Sequence, residues 1–174
     1  MASRQRPWDD HGLGPVEIRP GDLSDLNAVM EVMDRAFPKT YGEGWNHHQC
    51  RSMLSMPTAK LLIGTRQHTA CGFVISRQAA DEEELLMIAV APECQGQGIG
   101  YLLLDHMLQA AQAHHVASVF LEMRADNPAE KLYTKFGFHR IGLRKAYYTG
   151  PNMEKFDAVT YKASLKIQTD DQAV

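Results

Sequence analysis

The apolar positions change period several times along the chain, and each change marks an element. Val16 to Arg19 alternates apolar and charged side chains as a half-buried strand does, and Pro20-Gly21 ends it. Asp22 or Ser24 is placed to cap a helix in which Leu26, Val29, Met30, Met33 and Phe37 recur at three-and-four spacing. Phe37-Pro38 closes that helix. After the turn-rich Tyr41-Gly42-Glu43-Gly44, a shorter helix is predicted from Asn46 to Leu54, stopping at Met56-Pro57. From Lys60 the period shortens: Leu61 to Arg66, Cys71 to Gln78 and Glu83 to Val90 are runs rich in β-branched and apolar residues, joined by polar turns, which predicts an antiparallel meander. A glycine-studded segment, Pro92 to Gly100, leads into the helical stripe Ile99, Leu102, Leu103, Met107 and Ala110, ending near His114. Ser118 to Arg124 reads as a strand. Asn127-Pro128 reads as the N-cap and first residue of a helix running to Phe136, terminated by Gly137. Two last strands, Arg140 to Tyr148 and Phe156 to Leu165, flank the turn Gly150-Pro151-Asn152.

This order of elements, with no internal repeat, predicts a mixed α/β or α+β sheet flanked by helices. Residues 1–14 mix Pro, Gly and charge without periodicity and are expected to be a flexible lead-in; residues 15–166 form one domain, and 167–174 a frayed tail. Composition narrows the class. At 174 residues and 44% hydrophobic, one sizeable core is available without disulfides or structural metal. Lys and Arg number 18 against 21 Asp and Glu, a net charge of -3, so no basic stripe points to direct nucleic-acid binding. Cys50, Cys71 and Cys94 are odd in number and scattered, which builds neither a disulfide framework nor a metal knuckle and suits a reducing compartment. The start of the chain has no apolar run of signal-peptide length, and nothing approaches the roughly 20 apolar residues of a membrane span. A cytoplasmic enzyme or binding domain is expected. His47-His48 and His114-His115 are adjacent pairs whose members point apart, so no metal site is expected from them.

The chemistry concentrates at Gln95-Gly96-Gln97-Gly98-Ile99-Gly100, between a strand ending at Val90 and a helix. There, backbone N–H groups and the helix dipole are available to phosphate oxygens, and glycines let the backbone approach. A dinucleotide fingerprint needs G-x-G-x-x-G, and the spacing here is G-x-G-x-G; a triphosphate loop needs Gly-Lys-Ser/Thr, and Gly100 is followed by Tyr101. The pyrophosphate of coenzyme A and a plain helix-starting turn remain. Cys94 beside this loop is either a spectator thiol or one with a lowered pKa.

Other segments agree with the coenzyme A reading. Gln95, Gly98 and Gly100 match the Gln/Arg-x-x-Gly-x-Gly/Ala pattern, and here the sequence resembles the Gcn5-related N-acetyltransferases. Within that superfamily, Ile88-Ala89-Val90, Leu121-Glu122-Met123-Arg124, Asn127, Leu132-Tyr133, Gly137-Phe138 and Tyr147-Tyr148 are similar to the bacterial ribosomal-protein alanine N-acetyltransferases, over about residues 83–161. Phe37-Pro38 and Trp45 resemble that family's substrate-side residues but with extra residues between them, and the N-terminus is longer.

The resemblance implies a fold with splayed central parallel strands, acetyl-CoA as cosubstrate, and direct transfer to the N-terminal alanine of a ribosomal protein. No membrane partner and a monomer or weak dimer are expected. The resemblance assigns backbone groups of Ile88, Ala89 and Val90 to the pantetheine arm and acetyl carbonyl, where an aimed amide stabilises the oxyanion. Gln95, Gly96, Gln97, Gly98, Ile99, Gly100 and Tyr101 would hold the pyrophosphate, and Asn127 would reach the pantetheine. Glu122 resembles the family's proton acceptor and Tyr133 its proton donor. Each has a bland alternative: Glu122 an ion pair with Arg124, Tyr133 a core ring against Phe136 and Phe138. Glu84, in the acidic run Asp81 to Glu84, is the rival base. A small-molecule amine acetyltransferase and a catalytically silent acyl-CoA-binding module are the rival functions.

Overall fold

The structure is a computed structural model that describes residues 14–37, 44–150 and 153–166. The expected lead-in and tail, and the expected turns at 41–43 and 151–152, lie outside the described residues. The elements are β1 (Glu17–Gly21), α1 (Leu26–Ala36), α2 (His47–Leu54), β2 (Ala59–Arg66), β3 (Thr69–Ala79), β4 (Glu82–Val90), α3 (Ile99–Ala113), β5 (Ser118–Arg124), α4 (Glu130–Lys135), β6 (His139–Thr149) and β7 (Lys155–Ser164). Short 3-10 turns at Leu23–Asp25 and Pro92–Cys94 precede α1 and α3.

Local chemistry accounts for the helix starts. Asp22 accepts from the Ser24 N–H while Asp25 accepts from the Asp22 N–H, a reciprocal capping box; Asn46 and Gln49 repeat it for α2. The expected start of α4 at Asn127-Pro128 is not what forms. The Asn127 side chain instead closes a turn by accepting from the Ala129 N–H at 2.9 Å, and the helix begins at Glu130. In α1 the buried face is Leu26, Val29, Val32 and Met33; Met30 is only half-buried.

The strands form one seven-stranded sheet in the order β1-β2-β3-β4-β5-β7-β6. Every pairing is antiparallel except β4 with β5. Helices cover both faces. Val29, Val32, Met33 and Cys50 pack against Ile63, Phe73, Ile75 and Ala89 on one side. Leu103, Leu104, Met107 and Ala111 pack against Val74, Leu85, Val119 and Tyr161 on the other. That is why β3 reads as a continuous apolar run: Phe73 and Ile75 face one core and Val74 the opposite one. A polar exception lies within the sheet. Glu83, 1% exposed, accepts from Ser76 Oγ at 2.6 Å and from Lys60 Nζ at 2.8 Å, which satisfies both carboxylate oxygens.

The parallel pair opens the site. β4 and β5 are in register only from Glu82↔Ser118 to Leu85↔Leu121. At that point β4 carries a bulge: Ile75 faces Met87 and Ser76 faces Leu85, leaving Leu86 as an extra residue. A bulge bends its strand and ends regular pairing. Beyond Leu86 the two strands part, so the C-terminal half of β4 has no partner on its β5 side.

Candidate active site

The divergence of β4 from β5 leaves a cleft of about 420 Å³ whose lining includes Leu86, Ile88, Glu122, Asn127, Tyr133 and Tyr148. Its far wall comes from the α1–α2 region, through Phe37, Trp45 and Gln49. The fold therefore brings four expected site residues, Ile88, Glu122, Asn127 and Tyr133, into one space. Residues 95–101 lie outside that lining, beyond the C-terminal end of β4. Glu84 is not in the cleft either; it faces Phe120 across the parallel pair and bonds Arg77 at 2.8 Å.

Alternation along β4 decides which main-chain groups face the opening. The Ala91 N–H bonds the Cys71 carbonyl of β3 at 2.8 Å, so Ala91, and by period two Ala89, turn their polar groups toward β3. Ile88 and Val90 turn theirs toward the split. The Val90 carbonyl accepts from Gln95 Nε2 at 3.1 Å, which ties the following loop to the strand end. Of the three expected β4 residues, Ala89 is thus the one whose backbone is already engaged on the other side.

The loop is built around a helix start with no side-chain cap. Gly98 is the N-cap of α3 with φ +76°, and Gly96 has φ +73°, both in the left-handed region that suits glycine. Leu102 N–H bonds the Gly98 carbonyl, so the earlier N–H groups of α3 precede the first intrahelical donor. The N–H groups of this first turn, at the positive end of a 15-residue helix, offer a cradle to an anion. Ile99 is 1% exposed, so only its backbone can serve there. Tyr101 packs its ring on Phe136, the C-cap of α4, 4.5 Å between centroids. Gln97 uses both ends of its amide: Nε2 donates to the Glu93 carbonyl at 3.0 Å, and Oε1 accepts from Arg66 Nη1 at 2.6 Å. Arg66, at the end of β2, was not expected; its Nε is buried without a partner, so a cation stands behind the loop. A diphosphate would thus meet the first-turn N–H groups of a helix and positive charge, and the residues present fit the tail of coenzyme A.

Cys94 does not have a lowered pKa. Burial, followed by the neighbouring Cys71, pushes it up to about 11, so it is a thiol near neutral pH.

Glu122 and Tyr133 sit in different electrostatic settings. The bland alternative for Glu122, an ion pair with Arg124, is not the pair that forms on its carboxylate. Arg124 bonds Asp126 at 2.5 Å and lies over the Phe156 ring at 4.7 Å, whereas Glu122 is paired with Arg144 of β6. Nothing in the sequence signals this, because Arg144 is 22 residues away on a strand whose register is set by irregularities. Tyr133 packs edge-on against Phe138, 5.8 Å between centroids, while Phe136 belongs to Tyr101 instead. Burial pushes the Tyr133 hydroxyl well above the ordinary phenol value, so it keeps its proton. The arrangement offers a carboxylate and a protonated phenol on one cleft, beside unpaired strand amides.

Comparison with known proteins bears on this geometry. The family model described as an acetyltransferase (GNAT) domain matches residues 25–150. The [ribosomal protein bS18]-alanine N-acetyltransferase of Escherichia coli K12 is 38% identical over 133 residues, covering 73% of this chain and 83% of that protein. Its counterpart in Haemophilus influenzae is 39% identical over 94 residues, 54% of this chain and 64% of that protein. The crystal structure of the ribosomal-protein-S18-alanine N-acetyltransferase from E. coli superimposes with a TM-score of 0.82 at 26% identity, covering 92% of this chain and all of that one. Among the described residues no helix is long and apolar enough to cross a membrane. A sheet split beside an uncapped, glycine-led helix, matched by a family model over most of its length, places this chain among the GNAT N-acetyltransferases, enzymes that use acetyl-CoA.

Proposed function

We propose that the protein transfers the acetyl group of acetyl-CoA directly, in a ternary complex, to the α-amine of a protein N-terminus, and that its acceptor is the N-terminal alanine of a ribosomal protein. Acetyl-CoA supplies an activated thioester. The uncapped start of α3, within Gln95 to Tyr101, holds the diphosphate, and the main-chain groups of Ile88 and Val90 bind the pantetheine and acetyl carbonyl in the manner of an added strand. Asn127 has its Oδ1 engaged with Ala129, which leaves its amide NH₂ as the donor toward the pantetheine.

Glu122 takes a proton from the acceptor ammonium, freeing the nitrogen lone pair, and Tyr133 gives its proton to the departing sulfur. The observation that carries this reading is that Glu122 and Tyr133, from β5 and α4, line one cleft where β4 has lost its neighbour. A terminal α-amine, with a pKa of about 7.7–8.0 against about 10.4 for lysine, asks only a modest base. Phe37, Trp45 and Tyr148, which also line the cleft, provide a mouth for an extended peptide. The names of the relatives in E. coli and H. influenzae support the alanine acceptor.

The test incubates the pure protein with acetyl-CoA and a peptide copying the N-terminus of ribosomal protein bS18, with the product read by mass spectrometry. Acetyl on the α-amine and none on internal lysines is expected. Acetylation of spermidine but not of the peptide would establish the small-molecule reading instead. Calorimetric binding of acetyl-CoA without transfer to any amine would make the protein a silent acyl-CoA module.

A further inference from the structure

Arg144 has no task in the mechanism above, yet it touches the residue on which that mechanism turns. Its Nε donates to Oε2 of Glu122 at 3.0 Å, its Nη2 bonds the same oxygen, and Thr160 Oγ1 reaches that oxygen at 3.4 Å. Oε1 receives no hydrogen bond among the described residues. All the restraint therefore falls on one side of the carboxylate.

The guanidinium is itself fixed by a distortion of β6. It lies 4.1 Å over the ring of Tyr147. On a regular strand, residues three apart point to opposite faces and would not meet. Here β6 takes four steps from Arg144 to Tyr148 while β7 takes two from Ala158 to Phe156. Inside that excess, Ala146 adopts φ +54°, and its N–H is tied to Asp157 Oδ1 at 2.8 Å. The bulge turns Tyr147 under Arg144. The Arg144 side chain is 56% exposed and that of Glu122 20%, and a pair whose cation is this open to water adds little to stability, so stability alone does not explain the construction.

The geometry points to Arg144 as a positioning residue for acetyl transfer: by engaging Oε2 it presents Oε1 alone to the acceptor. The N–H bond of the acceptor ammonium breaks, its electron pair stays on nitrogen, and the proton forms an O–H bond with Oε1 before passing to water. Arg144 touches neither substrate and acts through Glu122; the inference rests on Glu122 being the base.

Steady-state kinetics of R144Q, R144K, E122Q and the R144Q/E122Q double variant, with acetyl-CoA and an Ala-starting peptide, test it. R144Q should lose about 10- to 100-fold in kcat, the scale of a misplaced reacting group, with KM for acetyl-CoA held within about twofold. R144K, keeping the charge without the two-pronged grip, should fall between it and wild type. The double variant should be within about threefold of E122Q alone, because the two residues act as one unit. D157A, which frees the bulge from outside the cleft, should lose part of kcat with the same KM pattern. A thermal midpoint for R144Q within about 2 °C of wild type excludes a structural effect.

Losses that multiply in the double variant would overturn the proposal, since Arg144 would then act independently of Glu122. A lower acceptor KM with higher kcat in R144Q would also overturn it, making Arg144 a competitor of the acceptor. If E122Q alone keeps wild-type turnover, it is the assignment of the base that falls.

Discussion

Two glycines of one loop should respond oppositely to the same substitution. Gly98 caps α3 at φ +76°, where an added Cβ costs about 1–2 kcal/mol whatever the space around it. At 2–4 °C per kcal/mol for a chain of this size, G98A should lower the thermal midpoint by roughly 2–8 °C. Rotation out of the left-handed region would also swing the first N–H groups of α3 away from their common focus. Losing one charge-assisted hydrogen bond, about 1.5–3 kcal/mol, weakens coenzyme A binding by roughly 10- to 100-fold. Gly100 lies inside the helix at an ordinary helical φ. A Cβ there would meet Leu132 Cδ2 at 3.6 Å and Val90 Cγ2 at 3.8 Å, which are normal contacts. Ala in place of helical Gly gains about 0.5–1 kcal/mol, so G100A should raise the midpoint by roughly 1–4 °C and keep coenzyme A affinity. Circular-dichroism melts and titration calorimetry with coenzyme A read both quantities. A G98A protein indistinguishable from wild type, or a G100A protein as damaged as G98A is expected to be, would refute the reasoning. The contrast also accounts for a pattern that tolerates Gly or Ala at the second position but demands Gly at the first.

Other outcomes follow from the cleft and the sheet. E122Q and Y133F should each lower turnover by roughly 10² to 10⁴, with acetyl-CoA affinity kept, as measured by steady-state kinetics and calorimetry; wild-type rates in both would remove the acid–base assignment. The Tyr133 hydroxyl is raised by burial, so its proton is lost later than that of an ordinary phenol at about pH 10, and the fold loses stability as the pH climbs from there toward the folded value. The tyrosinate absorbance of wild type minus that of Y133F should therefore be silent through about pH 10; a signal at the ordinary phenol midpoint would contradict the burial. K60M leaves the buried Glu83 held by Ser76 alone and should cost about 3 kcal/mol, or roughly 6–12 °C in melting midpoint, with most of it restored by adding E83Q; an unchanged midpoint would mean the pair is not buried as described.

Much of this molecule could be read from residue order, and the parts that could not share a cause. The strands and helices follow from period-two and three-to-four patterns in which neighbours in sequence decide the outcome. Thus β5 falls on Ser118 to Arg124 as expected, and α3 begins at Ile99 where the glycines end. The glycine-led start of α3 was legible for the same reason: left-handed backbone ahead of a helix is a property of a few consecutive residues, here Gly96 and Gly98. The start of α4 was placed two residues early: Asn127 accepts from Ala129 N–H as an N-cap does, but the turn it opens closes with a three-residue bond from Glu130 N–H to the Asn127 carbonyl, and the α-helix proper begins at Glu130.

Whatever depends on residues far apart in the chain was settled by the tertiary structure. The extra residue Leu86 that parts β4 from β5 is invisible in a run of apolar residues, since a bulge is a mismatch between two strands and not a property of one. Arg66 behind Gln97, and Arg144 on Glu122 in place of Arg124, depend on strand order and register in the same way. Residue order alone determined most of the elements and the glycine-led start of α3, because local backbone preference suffices for each, while Glu122 and Tyr133 were singled out by family resemblance. The sheet decided which strand amides lie open, which cation holds the carboxylate and which oxygen it leaves bare, because those are distances across space that no spacing along the chain encodes.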